Sequence, residues 1–275
     1  MSNPEASPPN SFHYDANYKN FHSDLYARIR RDAAVGEDLG QTSWITAQEQ
    51  DRSLEWLRLG PGKSLLDVAC GSGGPALRIA ERTGCDLVGV DLHDAGVSAG
   101  QEQASERGLS SRARFEVADA SKKLLFPDGS FDAITCIDAI NHLTDRVATI
   151  QDWARLLKPG GRMLFTNPTV VTGPLTGAEL RVRSSIGTFL FVPAGYDQGV
   201  IERCGLHLVV CEDATANMAT MAERRLAARA KHAEQLREIE GDASYDGQQE
   251  FFEVASRIAR ERRLSRFLFV AEKGR

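Results

Sequence analysis

An aspartate in an apolar run, a glycine turn and a second aspartate twenty-odd residues on are the residues of this 275-residue chain whose types and spacing could do chemistry. Leu65-Leu66-Asp67-Val68-Ala69 is short and apolar enough for a strand buried on both faces. Gly71-Ser72-Gly73-Gly74 follows, then Pro75 to Ala80 with helical spacing. Pro75 stands in the first turn of that helix, where its missing N–H costs nothing. A second apolar run, Leu87 to Val90, ends on Asp91. Glycines at such a turn let a ligand approach the backbone and permit positive φ without a Cβ clash. An acid closing the second strand is placed to accept both hydroxyls of a ribose. The unit therefore reads as βαβ with a crevice at the carboxyl ends of its strands, built for a nucleoside-containing cofactor. Two cofactors compete for it. Gly71-x-Gly73-x-x-Ala76 fits the dinucleotide fingerprint, but a carboxylate at Asp67 is awkward beside a pyrophosphate and well placed near an ammonium.

Further polar groups fall where later strands should end. Arg114 to Val117 reads as the third strand, stopping at Ala118-Asp119-Ala120, and Asp119 is either a ligand of the cofactor or a turn and cap residue. Pro127-Asp128-Gly129 is a turn, and Phe131 to Ile137 the fourth buried strand. Asp138-Ala139-Ile140-Asn141-His142-Leu143 then brings polar side chains to the crevice mouth. His142 has two readings, a structural residue at the start of the next helix or a general base, since imidazole titrates near neutrality. Asp138 orients His142, holds the cofactor's amino-acid end, or caps a helix.

Asp67-x-Ala69-x-Gly71-x-Gly73 resembles the D/E-x-G-x-G-x-G signature of class I S-adenosylmethionine (SAM) dependent methyltransferases, with Ala69 in place of the first glycine. The phrases Phe126-Pro127-Asp128-Gly129-Ser130-Phe131-Asp132 and Leu156-Leu157-Lys158-Pro159-Gly160-Gly161 are hallmarks of the same family, and no NAD enzyme needs them. Gly36-Glu37-Asp38 through Trp44 is similar to a segment preceding the core in small-molecule methyltransferases of the ubiquinone, natural-product and glycine-derivative type, where Trp44 replaces or follows a tyrosine. The resemblance implies an α/β, Rossmann-like fold: a seven-stranded, mostly parallel sheet, helices on both faces, and one antiparallel strand near the edge. It adds an N-terminal helical lid and a helical insertion after strand five. It implies SAM as cofactor and S-adenosylhomocysteine as product, held by Asp67, Ala69, Gly71, Gly73, Asp91, Leu92, Asp119, Ala120 and Ile137. In it the Asp119 carboxylate meets the adenine amino group and the Ala120 N–H a ring nitrogen, and His142 matches a common histidine.

Other elements must position these groups and choose the acceptor. Tyr14, Tyr26 and Trp44 from the lid, with Phe189, Phe191 and Tyr196 after strand five, are the candidate acceptor walls. Core packing explains any one of these rings; together they suggest an apolar or aromatic acceptor. Arg181 and Arg183 read as solvated charges, the alternative being recognition of an acidic group, and most charges of the helix expected from Asn217 to about Glu240 read as a solvated face. Another helix is expected from Gln248 to Arg260, and Ser265 to Val270 as the last strand.

The expected organisation is a disordered tail over 1–11 and one domain over 12–275. That domain divides into a lid (12–53), a cofactor core (54–170), an acceptor-side cap with helices (171–263) and a last strand (264–272). A net charge of −5 argues against a general nucleic-acid or membrane-surface partner. No run is apolar enough to cross a bilayer and no signal peptide is legible, so a cytoplasmic monomer or homodimer acting on a small-molecule acceptor is expected. No metal site is expected. The activity expected is in-line methyl transfer to an N, C or O nucleophile of a natural-product type metabolite. The alternatives are a cyclisation or rearrangement on the same fold and cofactor, or an NAD-binding oxidoreductase.

Overall fold

The structure, a computed structural model, describes residues 18, 20, 21, 23–40 and 42–274. The tail expected over 1–11 and the ring of Tyr14 lie outside the described residues. Strand β1 (Ser64–Val68) lies parallel between β2 (Asp86–Asp91) and β4 (Phe131–Cys136). β3 (Ala113–Val117) extends the sheet beyond β2, and β5 (Leu157–Val171) extends it beyond β4, both parallel. β8 (Leu264–Lys273) runs antiparallel to both its neighbours, β5 and the edge strand β7 (Leu206–Asp213). The order is β3-β2-β1-β4-β5-β8-β7, with a short β6 (Val192–Pro193) paired to the end of β5. Seven of these strands are the ones expected; the insertion contributes the eighth.

Both faces of the central strands are covered, which is why they read as continuous apolar runs. Leu65, Ala133 and Leu164 pack into one helical layer while Leu66, Ile134 and Met163 pack into the other, as a period of two requires. In chain order the helices are α1 (Asp24–Ala33), α2 (Ala47–Leu57), α3 (Gly74–Thr83), α4 (Asp94–Glu106) and α5 (Arg146–Leu156). They continue with α6 (Gly177–Arg183), α7 (Tyr196–Arg203), α8 (Thr215–Ala230), α9 (Ala233–Glu240) and α10 (Asp242–Arg260). The strand order switches between β1 and β4, so the crevice opens at their carboxyl ends.

The C-terminal helices depart from the sequence expectation. The charged run folds as two helices because a turn at Lys231 and His232 brings Leu236 inward against Leu25, Ile29 and Tyr245. Gly241, at φ 82° and ψ 155°, takes a backbone conformation close to glycine-only, and α10 starts directly after it rather than at Gln248. Of the charges of α8, Glu223 and Arg224 are exposed as expected, whereas Arg229 is buried and Arg225 half-buried. Arg224 donates to the carbonyls of Asp32 and Ala33, and Arg225 to those of Thr42 and Ser43 at 2.6 and 2.5 Å. The guanidiniums thus bind α8 to the end of α1 and to the segment before α2.

Candidate active site

A cavity of about 680 Å³ opens over the glycine turn. Asp67, Ala69, Gly71, Asp91, Leu92, Asp119, Ala120 and Ile137 all line it, together with His142. Gly73 does not. At φ 77° it precedes α3, and a Cβ there would stand 2.6 Å from the Phe115 ring, so its smallness serves packing. Ala69 has φ 55°. The place where the signature has glycine thus demands left-handed backbone, which alanine adopts at about 1–2 kcal/mol.

The three carboxylates differ in their surroundings. β1 and β4 pair Asp67 with Thr135, whose hydroxyl donates to Asp67 Oδ1 at 2.5 Å. Burial lifts the Asp67 carboxyl to about 7, against the Thr135 hydrogen bond and with help from the neighbouring Asp91. Asp91 accepts from the backbone N–H of Gly71 at 2.8 Å and of His93 at 2.9 Å, which locks the turn to the end of β2. Its carboxyl is also raised by burial, with those two N–H groups opposing. Asp119 is more open; burial opposes it, but Ser121 and Lys122 hold its carboxyl below the usual range.

Beyond β4 the backbone turns through Asp138, at φ 54°, into a 3₁₀ turn at Ile140–His142. Asp138 lines the cavity, and its carboxylate is engaged elsewhere. It accepts from Trp44 N at 2.7 Å, Thr166 Oγ1 at 2.8 Å and Arg266 Nε at 2.6 Å. Arg266 in turn donates to both oxygens of Glu49 at 2.7 and 2.9 Å. The His142 ring is pinned by Thr188 O, 3.2 Å from Nδ1, and by the edge of Phe189, 4.8 Å between centroids. A carbonyl can only accept, so Nδ1 carries the proton and Nε2 is the basic nitrogen. Burial lowers this imidazole to about 4, with the Thr188 carbonyl opposing and His93 adding to the shift.

Of the candidate walls, Tyr26, Trp44 and Phe189 line the cavity. Phe191 lies instead against Val254, Ile258 and Leu264, and Tyr196 against the main core, so neither lines it. Four arginines line the same cavity: Arg183 and three that no sequence motif marks, Arg30, Arg225 and Arg229. Arg183, expected in solvent, is 1% exposed, its guanidinium 4.4 Å from the Phe251 ring centre and 5.8 Å from that of Trp44. Arg229 binds both oxygens of Glu240, which also accepts from the Tyr26 hydroxyl. Nothing local in the sequence distinguishes these arginines from solvated ones, because the rings and carbonyls they meet come from distant segments. Among the described residues no three His, Cys, Asp or Glu side chains are grouped to hold a metal ion.

The strap, described over 36–40 and 42–46, roofs the turn. A Cβ on Gly74 would stand 2.1 Å from Leu39 O and 2.5 Å from Gly40 O, so the strap lies directly on the start of α3. This donor set suits a cationic nucleoside. A buried carboxyl that titrates near neutrality is driven to its ionised form by an adjacent ammonium, and an acid at a strand end takes up ribose hydroxyls.

The family model described as a methyltransferase domain matches residues 65–161. The chain is 31% identical over 194 residues to the 27-O-demethylrifamycin SV methyltransferase of Amycolatopsis mediterranei, covering 66% of this chain and 71% of that protein. It is 32% identical over 211 residues to phosphoethanolamine N-methyltransferase 3 of Arabidopsis thaliana, covering 76% of this chain but 41% of that protein. The chain thus spans less than half the length of that plant relative. Among solved structures, the cyclopropane synthase MmaA2 of Mycobacterium tuberculosis matches with a TM-score of 0.80 over 95% of this chain and 98% of that one, at 19% identity, a likeness of fold. The matched domain, the relative covered over most of its length and the strand order agree, and the chain belongs to the class I S-adenosylmethionine-dependent methyltransferase family.

Proposed function

We propose that the cavity holds SAM beside a small, largely apolar metabolite and that the chain methylates a hydroxyl of that acceptor, with His142 as the base. What supports the reading is one observation: the three strand-end carboxylates, the His142 imidazole and an aromatic wall share a single cavity. In this reading Asp67 holds the ammonium end of the cofactor, Asp91 the ribose hydroxyls and Asp119 the adenine amino group. Bound there, the cofactor supplies an electrophilic methyl on a cationic sulfur, a charge that disappears on transfer.

The chain's own part is alignment, exclusion of water and one proton. Trp44, Phe189 and Phe251 supply flat apolar walls, and alignment of this kind is worth up to ~7–11 kcal/mol in favourable intramolecular cases. His142 enters as neutral imidazole with Nδ1–H committed to Thr188, so Nε2 takes the proton of the acceptor hydroxyl. That proton puts one positive charge into the cavity as the sulfonium charge is lost, which limits the cost of leaving the buried carboxylates uncompensated. The relative named for O-methylation of a rifamycin precursor supports an oxygen nucleophile and a natural-product acceptor. The strap over 36–46 and the insertion from Pro168 to Pro193 choose the acceptor, since both contribute to the wall.

The test is incubation with methyl-labelled SAM and a panel of hydroxylated polycyclic and macrocyclic compounds, followed by location of the label. A methoxy product with equimolar S-adenosylhomocysteine is expected. A converted acceptor without S-adenosylhomocysteine release would replace transfer by rearrangement. Calorimetry showing NAD binding and no SAM binding would overturn the cofactor assignment.

A further inference from the structure

The turn after β4 carries a second polar side chain that proton transfer does not use. Asn141 is 1% exposed and lines the cavity next to His142. Its Oδ1 has no hydrogen-bond partner among the described residues. The turn itself is held: Leu190 N donates to the Asn141 backbone carbonyl at 2.8 Å, and His142 N to Ala139 O at 3.0 Å. Segment 188–190 thus fixes the backbone at Asn141 and the ring of His142, two neighbouring residues that both line the cavity. Buried side-chain oxygens nearly always have a partner, and one left alone costs stability. A fold that keeps such an oxygen beside its candidate base has a use for it outside the free protein.

We propose that Asn141 Oδ1 accepts a hydrogen bond from the methyl acceptor, from a hydroxyl or N–H other than the group being methylated, and so determines which atom meets His142. The inference rests on the reading of the cavity as a methyl-acceptor pocket and adds the chemical class of acceptor: one bearing at least two donor groups. The second donor must differ from the first because a hydroxyl has one proton, and His142 Nε2 takes it. A site built to pair a donor rejects the analogue that lacks it, since its own oxygen would then stay buried and unpaired. Asn141 is in this sense a positioning residue.

The test compares the full chain with Asn141→Leu, similar in shape and without the carbonyl, and with Asn141→Ala. Free of acceptor, Asn141→Leu is expected to melt at or above wild type, because an unpaired buried oxygen has been removed. A lower melting temperature in both variants would show that the oxygen serves the fold, and would overturn the inference. SAM affinity is expected to stay within about twofold, and kcat/KM for the best hydroxylated acceptor of the panel to fall by about tenfold or more. The preference of wild type for that acceptor over its analogue lacking the second donor should shrink toward unity in both variants. A merely structural role would leave that preference intact, and an intact preference sinks the proposal while methyl transfer stands. A wild-type chain that methylates nothing sinks the pocket reading first and this inference with it.

Discussion

Asp67 and His142 face one cavity, and burial moves their titrations in opposite directions along the pH scale. The Asp67 carboxyl is lifted to about 7, whereas an unfolded aspartate titrates near ~3.9. Between those values the folded free protein keeps a proton that the unfolded chain has lost. Its contribution to stability is therefore full below about pH 4 and is lost as pH rises through about 7. A cation beside the carboxylate favours the ionised form. SAM affinity is accordingly expected to rise between about pH 6 and about pH 8, with proton release visible as a buffer-dependent binding enthalpy. Asp67→Asn should abolish that dependence, and equal proton release in the variant would remove Asp67 from the cofactor's surroundings. Asp91→Ala is expected to cost ~1.5–3 kcal/mol of SAM affinity by calorimetry, the scale of a hydrogen bond to a charged group. For His142 the native value near 4 lies below the ordinary ~6.5, so its contribution to stability is present above about pH 6.5 and is lost as pH falls through about 4. The acid limb of kcat should lie near the lower value. His142→Ala should lower kcat by ~10²–10⁴-fold with SAM affinity nearly unchanged; normal turnover would make the imidazole structural.

The segments that aim these side chains are irregular ones. The stretch 187–190 after α6 holds the base from outside the sheet, and it can do so only because Gly187 is small. A Cβ there would stand 2.8 Å from His142 Cε1 and 3.1 Å from Nδ1. Gly187→Ala is therefore expected to turn the ring away from Thr188 O and depress kcat, while the melting temperature changes by no more than ~2–4 °C, the shift of about 1 kcal/mol in a protein of this size. A fall in kcat without a rise in the SAM dissociation constant would support the assignment; unchanged kcat would show that the ring tolerates the push. The strap over 36–46 depends on its contacts in the same way: its carbonyls are taken up by Arg225 and by Ser72 Oγ, which lies 3.3 Å from Gly40 O.

For the whole molecule, the buried charges matter most. Arg266, Glu49 and Asp138 have side chains 0%, 0% and 3% exposed, and they join β8, α2 and the turn after β4. Asn217 of α8 adds a hydrogen bond to Glu49 at 2.5 Å, and Trp44 N brings in the strap. Removing the Arg266 guanidinium would strip two buried carboxylates of their hydrogen-bonded cation, so Arg266→Met is expected to cost about 3–5 kcal/mol in denaturant unfolding. A loss below about 1 kcal/mol would mean that water reaches the cluster and that it does not tie the cap to the core.

The core was legible from the sequence because its signals are local. Leu65 to Ala69, the glycine turn and Asp91 form one βαβ unit within a short stretch, and the Pro-Gly-Gly phrase marks the start of β5. Asp67 and Asp91 lie at the carboxyl ends of β1 and β2, Asp119 and His142 follow β3 and β4, and parallel strands in register bring these ends together. What decides the acceptor wall is long-range. Arg183, Arg225 and Arg229 look like any charges on polar helices, and only folding sets them against Trp44, Phe251 and Glu240 from other segments. Phe191 and Tyr196 look like wall residues until packing turns them into the core. Strand ends are aligned by backbone hydrogen bonds that a linear pattern encodes, whereas a cavity wall is assembled from side chains whose neighbours exist only after the chain has closed on itself.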